Sequence, residues 1–421
     1  MNNVALLFPG QGSQYVGMGK KFYERYSLVK ELFEEANEIL GFDLKSLCFE
    51  GDVNELTKTE NTQPAILTVS VAMFKIFLEE TEIKPLFIAG HSLGELSALT
   101  CAGAINFADA IKIVRQRGMF MKDAVVDGVG MMAAISEINS DAITQECFNI
   151  SNNQNIVSLS NYNSPMQTVI SGHKEAVLKV CENLKAKGAR VIPLKVSAPF
   201  HCSLMKPAAD RFKTELQKYS FNDFVYPVIS NVTALPYYNK DRIVENLSEH
   251  LIKPVRWKEV IEYLNSQCVD GTVEIGPQKV LKNLTKKNFS SMFTYSFDDD
   301  EDYIKLTNNF TKRQDVENKG RPTVITRCLA IAVCTPNKNW NNDEYHKGVI
   351  EPYVKIQKMQ EEIENQGKNP TKEQMREALE MLRTVFITKK TSLDEQIERF
   401  EQIFSETGTT ALFDDFVIHE F

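Results

Sequence analysis

The sequence predicts an α/β protein with an inserted, strand-rich subdomain and a mostly helical C-terminal extension. Three observations support this fold class. Short apolar strands alternate with longer helical patterns along roughly the first 290 residues. A separate β-α-β-β-α-β pattern interrupts them over residues 128–196, and strand patterns become rare beyond residue 298.

The first strand, VALLF at 4–8, opens into the glycine-rich turn PGQGSQ at 9–14. Such a turn can cradle a phosphate, but this one lacks the Lys-Ser/Thr of a P-loop and the third glycine of a dinucleotide fingerprint. It can also present a backbone amide to a reacting centre. Both alternatives stay open from the residues alone.

Two helical patterns follow, an amphipathic one at 20–40 and a more apolar one at 62–80 with Pro64 near its first turn. Gln63 is a polar residue at the buried entrance of the second helix. It either caps the helix or lines a site.

A serine lies in the sharp turn GHSLGE at 90–95, between an apolar strand and an alanine-rich helix. This context is typical of the nucleophile elbow of G-x-S-x-G enzymes, so Ser92 is a candidate nucleophile at a helix N-terminus. Gly90 and Gly94 are expected because side chains there would clash with the neighbouring strand and helix. The unit containing this elbow is predicted to be α/β-hydrolase-like. The helical pattern at 107–123 carries Arg115 and Arg117, which are two residues apart and therefore point to different faces.

The pattern of residues 128–196 matches the ferredoxin-like arrangement of strands and helices. We therefore predict three parts. Residues 1–127 and 197–297 form the α/β-hydrolase-like catalytic subdomain, residues 128–196 form an inserted ferredoxin-like subdomain, and residues 298–421 form the C-terminal extension.

A serine nucleophile needs a base, and the chain has six histidines, at 91, 173, 201, 250, 346 and 419. His91 adjoins the nucleophile, so its side chain should point away from the serine hydroxyl. The positions along the chain leave His201 and His250 as candidates. His201 is favoured because it follows a predicted strand and precedes a helix.

The extension begins with an acidic run, 298–302, which we interpret as a solvated boundary. An apolar segment at 323–334 is predicted to be a strand. Two capping boxes, Thr371 with Gln374 and Ser392 with Glu395, predict helices at 371–387 and 392–404.

The whole chain has 421 residues, a net charge of −8 and a pI of about 5.5, with no basic stripe of the kind that binds nucleic acid. It shows neither a signal peptide nor an apolar run long enough for a membrane span. The eight cysteines are scattered without a C-x-x-C pair, which favours reduced thiols in the cytoplasm over disulfides or a zinc site.

Several motifs together resemble those of one family, the bacterial malonyl-CoA:acyl carrier protein transacylases and the related acyltransferases of polyketide synthases. The resemblance covers about residues 3–290, in family order and at family spacing. Its motifs are FPGQGSQ at 8–14, TQPA at 62–65, GHSLGE at 90–95, RQRG at 115–118, YNSPMQ at 162–167, PFHCSLMKPAAD at 199–210, PVRW at 254–257 and EIGP at 274–277.

The resemblance implies a catalytic role for four residues. Ser92 would be the nucleophile that carries the malonyl ester, and His201 the general base. The backbone amides of Gln11 and Leu93 would form the oxyanion hole. In this family a main-chain carbonyl orients the histidine, and the matching position here is His250, where relatives commonly have glutamine.

The resemblance also implies the substrate-binding residues. Arg117 would pair with the malonyl carboxylate through a planar fork. Phe200 would exclude a branched methylmalonyl group, or else it simply packs. Gln63 and Asn161 are expected to bind substrate as well.

These roles predict a ping-pong malonyltransferase with malonyl-CoA and an acyl carrier protein as partners, and with no metal or other cofactor. The extension favours a trans-acting acyltransferase of a polyketide synthase over the fatty-acid enzyme. It would either dock onto the synthase or form a helical extension packed on the catalytic core. Two other classes stay open: a proofreading acyl hydrolase on the same fold, and a non-catalytic scaffold.

Overall fold

A five-stranded parallel sheet lies at the centre of the N-terminal unit, Met1–Thr307, and a C-terminal unit comprises Asn308–Phe421. The computed structural model describes residues 3–81, 83–126, 128–194, 196, 198–306, 322–366, 369–413 and 416. Numbered in chain order, the strands of this sheet are β1 (Val4–Phe8), β2 (Phe87–Gly90), β7 (Val228–Ile229), β8 (Gly271–Glu274) and β9 (Phe293–Ser296). Their spatial order is β7-β2-β1-β8-β9, and every pairing is parallel.

The register of this sheet positions the candidate site. Phe8 pairs with Gly90, so β1 and β2 end side by side. Because the carboxyl ends of parallel strands meet at one edge, the turn after β1 and the serine turn after β2 lie together. Strand β1 is buried along its whole length, as expected of a central parallel strand.

Helices connect these strands and cover the sheet. They are α1 (Lys20–Arg25), α2 (Ser27–Leu40), α3 (Leu44–Glu50), α4 (Val53–Thr57), α5 (Thr59–Thr81), α6 (Leu93–Cys101), α7 (Phe107–Asp123), α10 (Lys206–Leu216), α11 (Ile243–Glu249), α12 (Trp257–Ser266), α13 (Val280–Asn288) and α14 (300–306). The helix predicted at 20–40 is two helices, because Tyr26 is extended between them. Helix α5 begins before the predicted position 62, so Pro64 lies in its second turn.

A second, four-stranded sheet interrupts the first between α7 and α10. Its strands are β3 (Gly130–Ser136), β4 (Val157–Ser164), β5 (Gln167–His173) and β6 (Arg190–Pro193), and its helices are α8 (Ser140–Ile150) and α9 (Lys174–Ala186). The strands are antiparallel in the order β4-β5-β3-β6, and the two helices share a hydrophobic core with the sheet. The predicted β-α-β-β-α-β order is present.

Two details of the N-terminal unit differ from the sequence prediction. The run VYPVISNV at 225–232, whose sequence predicts a strand over its whole length, forms only the two-residue β7, because the N–H of Ser230 bonds to Leu235 and that of Asn231 bonds to the Glu95 side chain. The acidic run 298–302 is not a fully solvated boundary. Asp298 accepts a hydrogen bond from the Tyr15 hydroxyl, and Asp302, 5% exposed, accepts one from the N–H of Ser296.

The C-terminal unit is helical in its described part and has its own hydrophobic core. Its helices are α15 (Val324–Cys334), α16 (Asn342–Tyr345), a π-helical turn (His346–Ile350), α17 (Glu351–Gln366), α18 (Lys372–Thr388) and α19 (Leu393–Thr407). The strand predicted at 323–334 is wrong. Helix α15 is capped by the Thr323 side chain, and its buried residues recur at helical spacing.

Of the two predicted capping boxes, the one of Thr371 and Gln374 is present and begins α18. Ser392 precedes α19 but makes no side-chain cap. All eight cysteines are unpaired. Within the described parts of the chain, no helix has the length and hydropathy needed to cross a membrane.

Candidate active site

The turn after β2 holds Ser92 in a strained conformation at the start of α6. Its φ of 53° and ψ of −110° lie outside the regions that residues other than glycine usually adopt. A Cβ on Gly90 would lie 1.9 Å from the carbonyl of Gly94, and one on Gly94 would lie 1.9 Å from that of Phe8. The close approach of strand and helix therefore requires both glycines, as predicted.

His201 is within hydrogen-bonding distance of the serine hydroxyl. Ser92 Oγ lies 2.8 Å from His201 Nε2, and His201 Nδ1 lies 2.7 Å from the main-chain oxygen of His250. Because a carbonyl can only accept, it fixes the proton on Nδ1 and leaves Nε2 free to accept from Ser92. The serine and the histidine thus form a dyad that is oriented by a carbonyl and does not use a carboxylate.

His201 is 3% exposed, and this burial, reinforced by the nearby charge of Arg117, lowers its pKa to about 3. The imidazole is therefore neutral at physiological pH, the form a general base requires. The His250 ring lies beside it, with 4.9 Å between ring centroids, and is fully buried.

Arg117, from α7, is buried with its guanidinium beside the nucleophile. Nη1 donates to Gln63 Oε1 at 2.9 Å, Nη2 donates to Ser92 Oγ at 3.4 Å, and Nε has no partner among the described residues. Burial lowers its pKa to about 10, so it stays charged at neutral pH. Arg115 points to the opposite side, where it bonds to the Glu60 carbonyl and to Asn61, as the spacing predicted.

The two residues whose backbone amides are predicted to supply the oxyanion hole, Gln11 and Leu93, lie in turns that pack against each other. A Cβ on Gly10 would lie 2.4 Å from the His91 carbonyl oxygen and 3.6 Å from the Leu93 nitrogen, so the turn after β1 packs directly on the serine turn. Gln11 and Leu93 both line the cavity. Neither of these amides donates to a protein acceptor in the described part of the chain. Their N–H groups are thus free to bind an oxyanion.

These groups open onto a cavity of about 440 Å³ between the two sheets of the N-terminal unit. The predicted residues that line it are Gln11, Ser92, Leu93, Arg117, Asn161, Phe200 and His201. Gln63 does not line it. Its side chain is fully buried and bonds to the Arg117 guanidinium. The predicted contact of Gln63 with the substrate is therefore replaced by a contact with Arg117.

Several contacts of the site were not predicted from the sequence. The His91 ring bonds to Asn163, whose Oδ1 lies 2.9 Å from Nε2, whereas the serine hydroxyl is paired with His201. Asn231 and Glu95 hold the backbone of the serine turn. Glu95 lies within the GHSLGE motif, which was a usable signal; Asn231 lay in a predicted strand and gave none.

Comparisons with known proteins agree on one family. A family model described as an acyl transferase domain matches residues 5–315. A malonyl CoA-acyl carrier protein transacylase of Bacillus subtilis is 40% identical over 397 residues, which is 94% of this chain and 99% of that protein. The enzyme of the same name from Escherichia coli is 47% identical over 288 residues, 68% of this chain and 93% of its own length.

Solved structures give the same result. An acyl carrier protein S-malonyltransferase from Vibrio cholerae matches with a TM-score of 0.70 and 42% identity, over 72% of this chain and 99% of that one. A malonyl-transacylase in complex with a type II polyketide synthase acyl carrier protein matches with a TM-score of 0.71 and 41% identity, over 73% and 99%. The 94% coverage of the first Bacillus subtilis relative means that its match extends well into residues 308–421.

Proposed function

The chain belongs to the acyl transferase family that includes the malonyl-CoA:acyl carrier protein transacylases, and from this premise we propose that it transfers a malonyl group from coenzyme A to an acyl carrier protein. The proposal rests above all on one observation: a buried, charged guanidinium lies 3.4 Å from the nucleophile of a serine–histidine dyad. No carboxylate pairs with Arg117 in the described part of the chain, so an incoming carboxylate would supply the missing partner.

The first half of the reaction forms the malonyl ester. Ser92 Oγ attacks the thioester carbonyl as its proton passes to His201 Nε2, and the amides of Gln11 and Leu93 stabilise the oxyanion. When the tetrahedral intermediate collapses, the carbon–sulfur bond breaks and Nε2 returns the proton to the leaving coenzyme A thiolate. The second half runs in reverse, with the phosphopantetheine thiol of the carrier protein as nucleophile and His201 as its base.

The guanidinium of Arg117 would determine which class of acyl group the site accepts. Arg117 would bind both oxygens of the malonyl carboxylate, and Gln63 behind it would hold the guanidinium in place. An acetyl group would leave the guanidinium buried without an anion. Phe200, which lines the cavity, would restrict the space beside the α-carbon of the acyl group.

The finer description of the fold belongs to the same proposal. The parallel sheet with its strained serine turn supports an α/β-hydrolase-like core. The antiparallel order β4-β5-β3-β6 and the two helices packed against it support a ferredoxin-like subdomain. The proposed chemistry needs no metal or other cofactor.

Mass spectrometry of the intact protein tests the transfer. After addition of malonyl-CoA, we expect one malonyl adduct that maps to Ser92 and moves to a holo acyl carrier protein when the carrier is added. Ser92→Ala should form no adduct. Ser97→Ala, which alters a buried serine of α6 outside the cavity, should behave like the wild type. Rapid loss of the adduct to water without carrier loading would instead indicate an acyl hydrolase.

A polyketide synthase as the client of this enzyme is a second proposal. It is supported by the C-terminal unit, which extends beyond the Escherichia coli match, and by the likeness to a transacylase bound to a polyketide carrier protein. We expect higher kcat/KM values with polyketide carrier proteins than with fatty-acid carrier proteins. Deletion of residues 308–421 should impair transfer to a complete synthase more than transfer to an isolated carrier. Equal losses would contradict docking through this unit.

A further inference from the structure

Asn231, two residues after the end of β7, contacts the backbone of the serine turn on both sides of His91. Its Oδ1 accepts from the Ser92 N–H at 2.8 Å, and its Nδ2 donates to the Gly90 carbonyl at 2.7 Å. Asn231 is fully buried. One side chain therefore closes the strained turn from Gly90 to Ser92.

Asn231 is itself held by two further hydrogen bonds. Its N–H donates to Glu95 Oε2 at 3.0 Å, and its carbonyl accepts from the N–H of Arg256 at 3.1 Å. Every polar atom of the residue is thus engaged. Glu95 is also fully buried, in the first turn of α6, and its other oxygen accepts from the Tyr237 hydroxyl at 2.5 Å.

Asn231, Glu95 and Tyr237 form what we call the Asn231 network, in which Asn231 and Glu95 close a ring with the serine turn and Tyr237 bonds to Glu95 from outside that ring. The ring runs from the serine turn through Asn231 to Glu95, and back along α6 to Ser92. A strained backbone persists only where its surroundings determine it strongly, and several buried hydrogen bonds are comparable in strength with the strain at one residue. The hydrogen bonds of the ring constrain the backbone of Ser92 in this way.

The conformation of Ser92 matters for the amide that follows it. The ψ angle of Ser92 sets the plane of the peptide joining it to Leu93, and hence the direction of the Leu93 N–H. The φ angle sets the direction of Oγ towards His201. Relaxation of the turn would therefore misalign the oxyanion donor and the nucleophile together, without altering Arg117.

We propose that Asn231 is a positioning residue that, supported by Glu95 and Tyr237, holds the serine turn in its reactive conformation. The substrate named in this inference comes from the proposed function, whereas the hydrogen bonds that support it do not depend on that function. Because Asn231 contacts the turn backbone and does not line the cavity, its loss should lower kcat and leave the binding of malonyl-CoA nearly unchanged.

The test compares Asn231→Ala with the wild type and with Asn183→Ala. Asn183 donates to Glu146 in the four-stranded sheet subdomain, so its variant loses a side-chain hydrogen bond away from the cavity. We expect Asn231→Ala to lower kcat about 100-fold, the effect of losing one oxyanion donor. KM for malonyl-CoA should stay within about threefold, and the Asn183 variant should keep the wild-type kcat.

A second readout separates this proposal from the proposed function. A fluorophosphonate probe reacts with an activated serine and carries no malonyl group, so its labelling rate of Ser92 should fall in Asn231→Ala by a factor similar to that of kcat. If the wild type is labelled but takes no malonyl group, the proposed function fails while the positioning role is still tested. Equal labelling rates in the wild type and Asn231→Ala would overturn the positioning role.

If Asn231→Ala does not fold, Tyr237→Phe tests the same network at its far end. It removes the hydrogen bond to Glu95 and keeps the ring that packs there. We expect kcat and the labelling rate to fall about threefold or more with KM unchanged. Unchanged values of both would overturn the inference.

Discussion

Replacement of Arg117 by alanine should convert a malonyl-selective enzyme into one that barely distinguishes malonyl from acetyl. In the wild type the guanidinium is 1% exposed, bonds to the neutral Gln63 side chain and lies 3.4 Å from Ser92 Oγ. A malonyl carboxylate would therefore form a buried ion pair at the reacting centre. Loss of one partner from such a pair costs about 3–5 kcal/mol.

This free energy converts to a loss of kcat/KM for malonyl-CoA of roughly 100- to 4,000-fold, since about 1.4 kcal/mol corresponds to a factor of ten. We expect the lower end of this range, because alanine leaves room for water to solvate the carboxylate. For acetyl-CoA the sign is opposite. The wild-type site leaves a buried guanidinium without an anion, and the variant removes that penalty. The malonyl-to-acetyl ratio should thus fall by at least about 100-fold.

The assay measures kcat/KM for loading a holo acyl carrier protein from labelled malonyl-CoA and acetyl-CoA in competition. Arg115→Ala is the matched control, since Arg115 lies on the same helix but bonds to the Glu60 carbonyl and to Asn61, outside the cavity. It should keep the wild-type ratio. Arg117→Lys, which keeps the charge but loses the fork, should fall between the two. An Arg117→Ala variant that retained the malonyl preference would refute the reasoning.

Further predictions concern the base, the pocket and the buried acids. His250→Gln should keep kcat within about threefold, because the residue acts on His201 through its main-chain oxygen; a large loss would mean that the buried ring takes part. Since the pKa of His201 is lowered to about 3 whereas burial raises that of Glu95 to about 7, kcat/KM of a Glu95→Gln variant should stay constant from pH 7 to about pH 5, and a decline centred near pH 6.5 in that variant would contradict a neutral His201. Phe200→Ala should raise the methylmalonyl-to-malonyl ratio of kcat/KM, and an unchanged ratio would leave Phe200 a packing residue. Burial raises the pKa of Glu274 to about 8, so its contribution to stability is complete at low pH and is lost as pH rises towards 8. Glu274→Gln should therefore reduce the decline of the unfolding free energy over this pH range by about a few kcal/mol. An unchanged decline, measured by urea titrations at several pH values, would contradict the raised pKa.

The parts of the site that were predictable from the sequence are those specified by local geometry. The serine turn was recognisable because Gly90 and Gly94 are needed for a close approach of strand and helix, and the structure shows this approach. The opposite directions of Arg115 and Arg117 follow from helical spacing alone. The wrong strand at 323–334 shows the limit of composition, because its β-branched residues form a helix once one face packs in the core of the C-terminal unit.

The parts that were missed depend on contacts between distant segments. Asn231 is 139 residues from Ser92 in sequence, and nothing in its own neighbourhood distinguishes a turn-holding asparagine from a strand residue. Gln63 was assigned to the substrate through the family resemblance. Its position near the start of a helix does not reveal that Arg117 is the side chain that faces it. The orienting role of His250 belongs to a backbone atom, which the identity of the side chain does not reveal. Only the family resemblance pointed to that position.

The two sheets of the N-terminal unit contribute different residues to the site. Ser92, Leu93 and Arg117 come from the turn after β2 and from helices α6 and α7 of the parallel sheet, and His201 lies in the connection from β6 to α10. The facing wall includes Met132, Asn161 and Gln167 from the antiparallel sheet. A substitution in that wall can change which substrate arm the site accepts, and it need not move the dyad or the oxyanion donors. Because residues of the antiparallel sheet line one side of the cavity, we expect this sheet to limit the access of water to a serine ester. We therefore expect the choice between acyl transfer and hydrolysis to depend on both sheets, since the serine turn alone would serve either reaction.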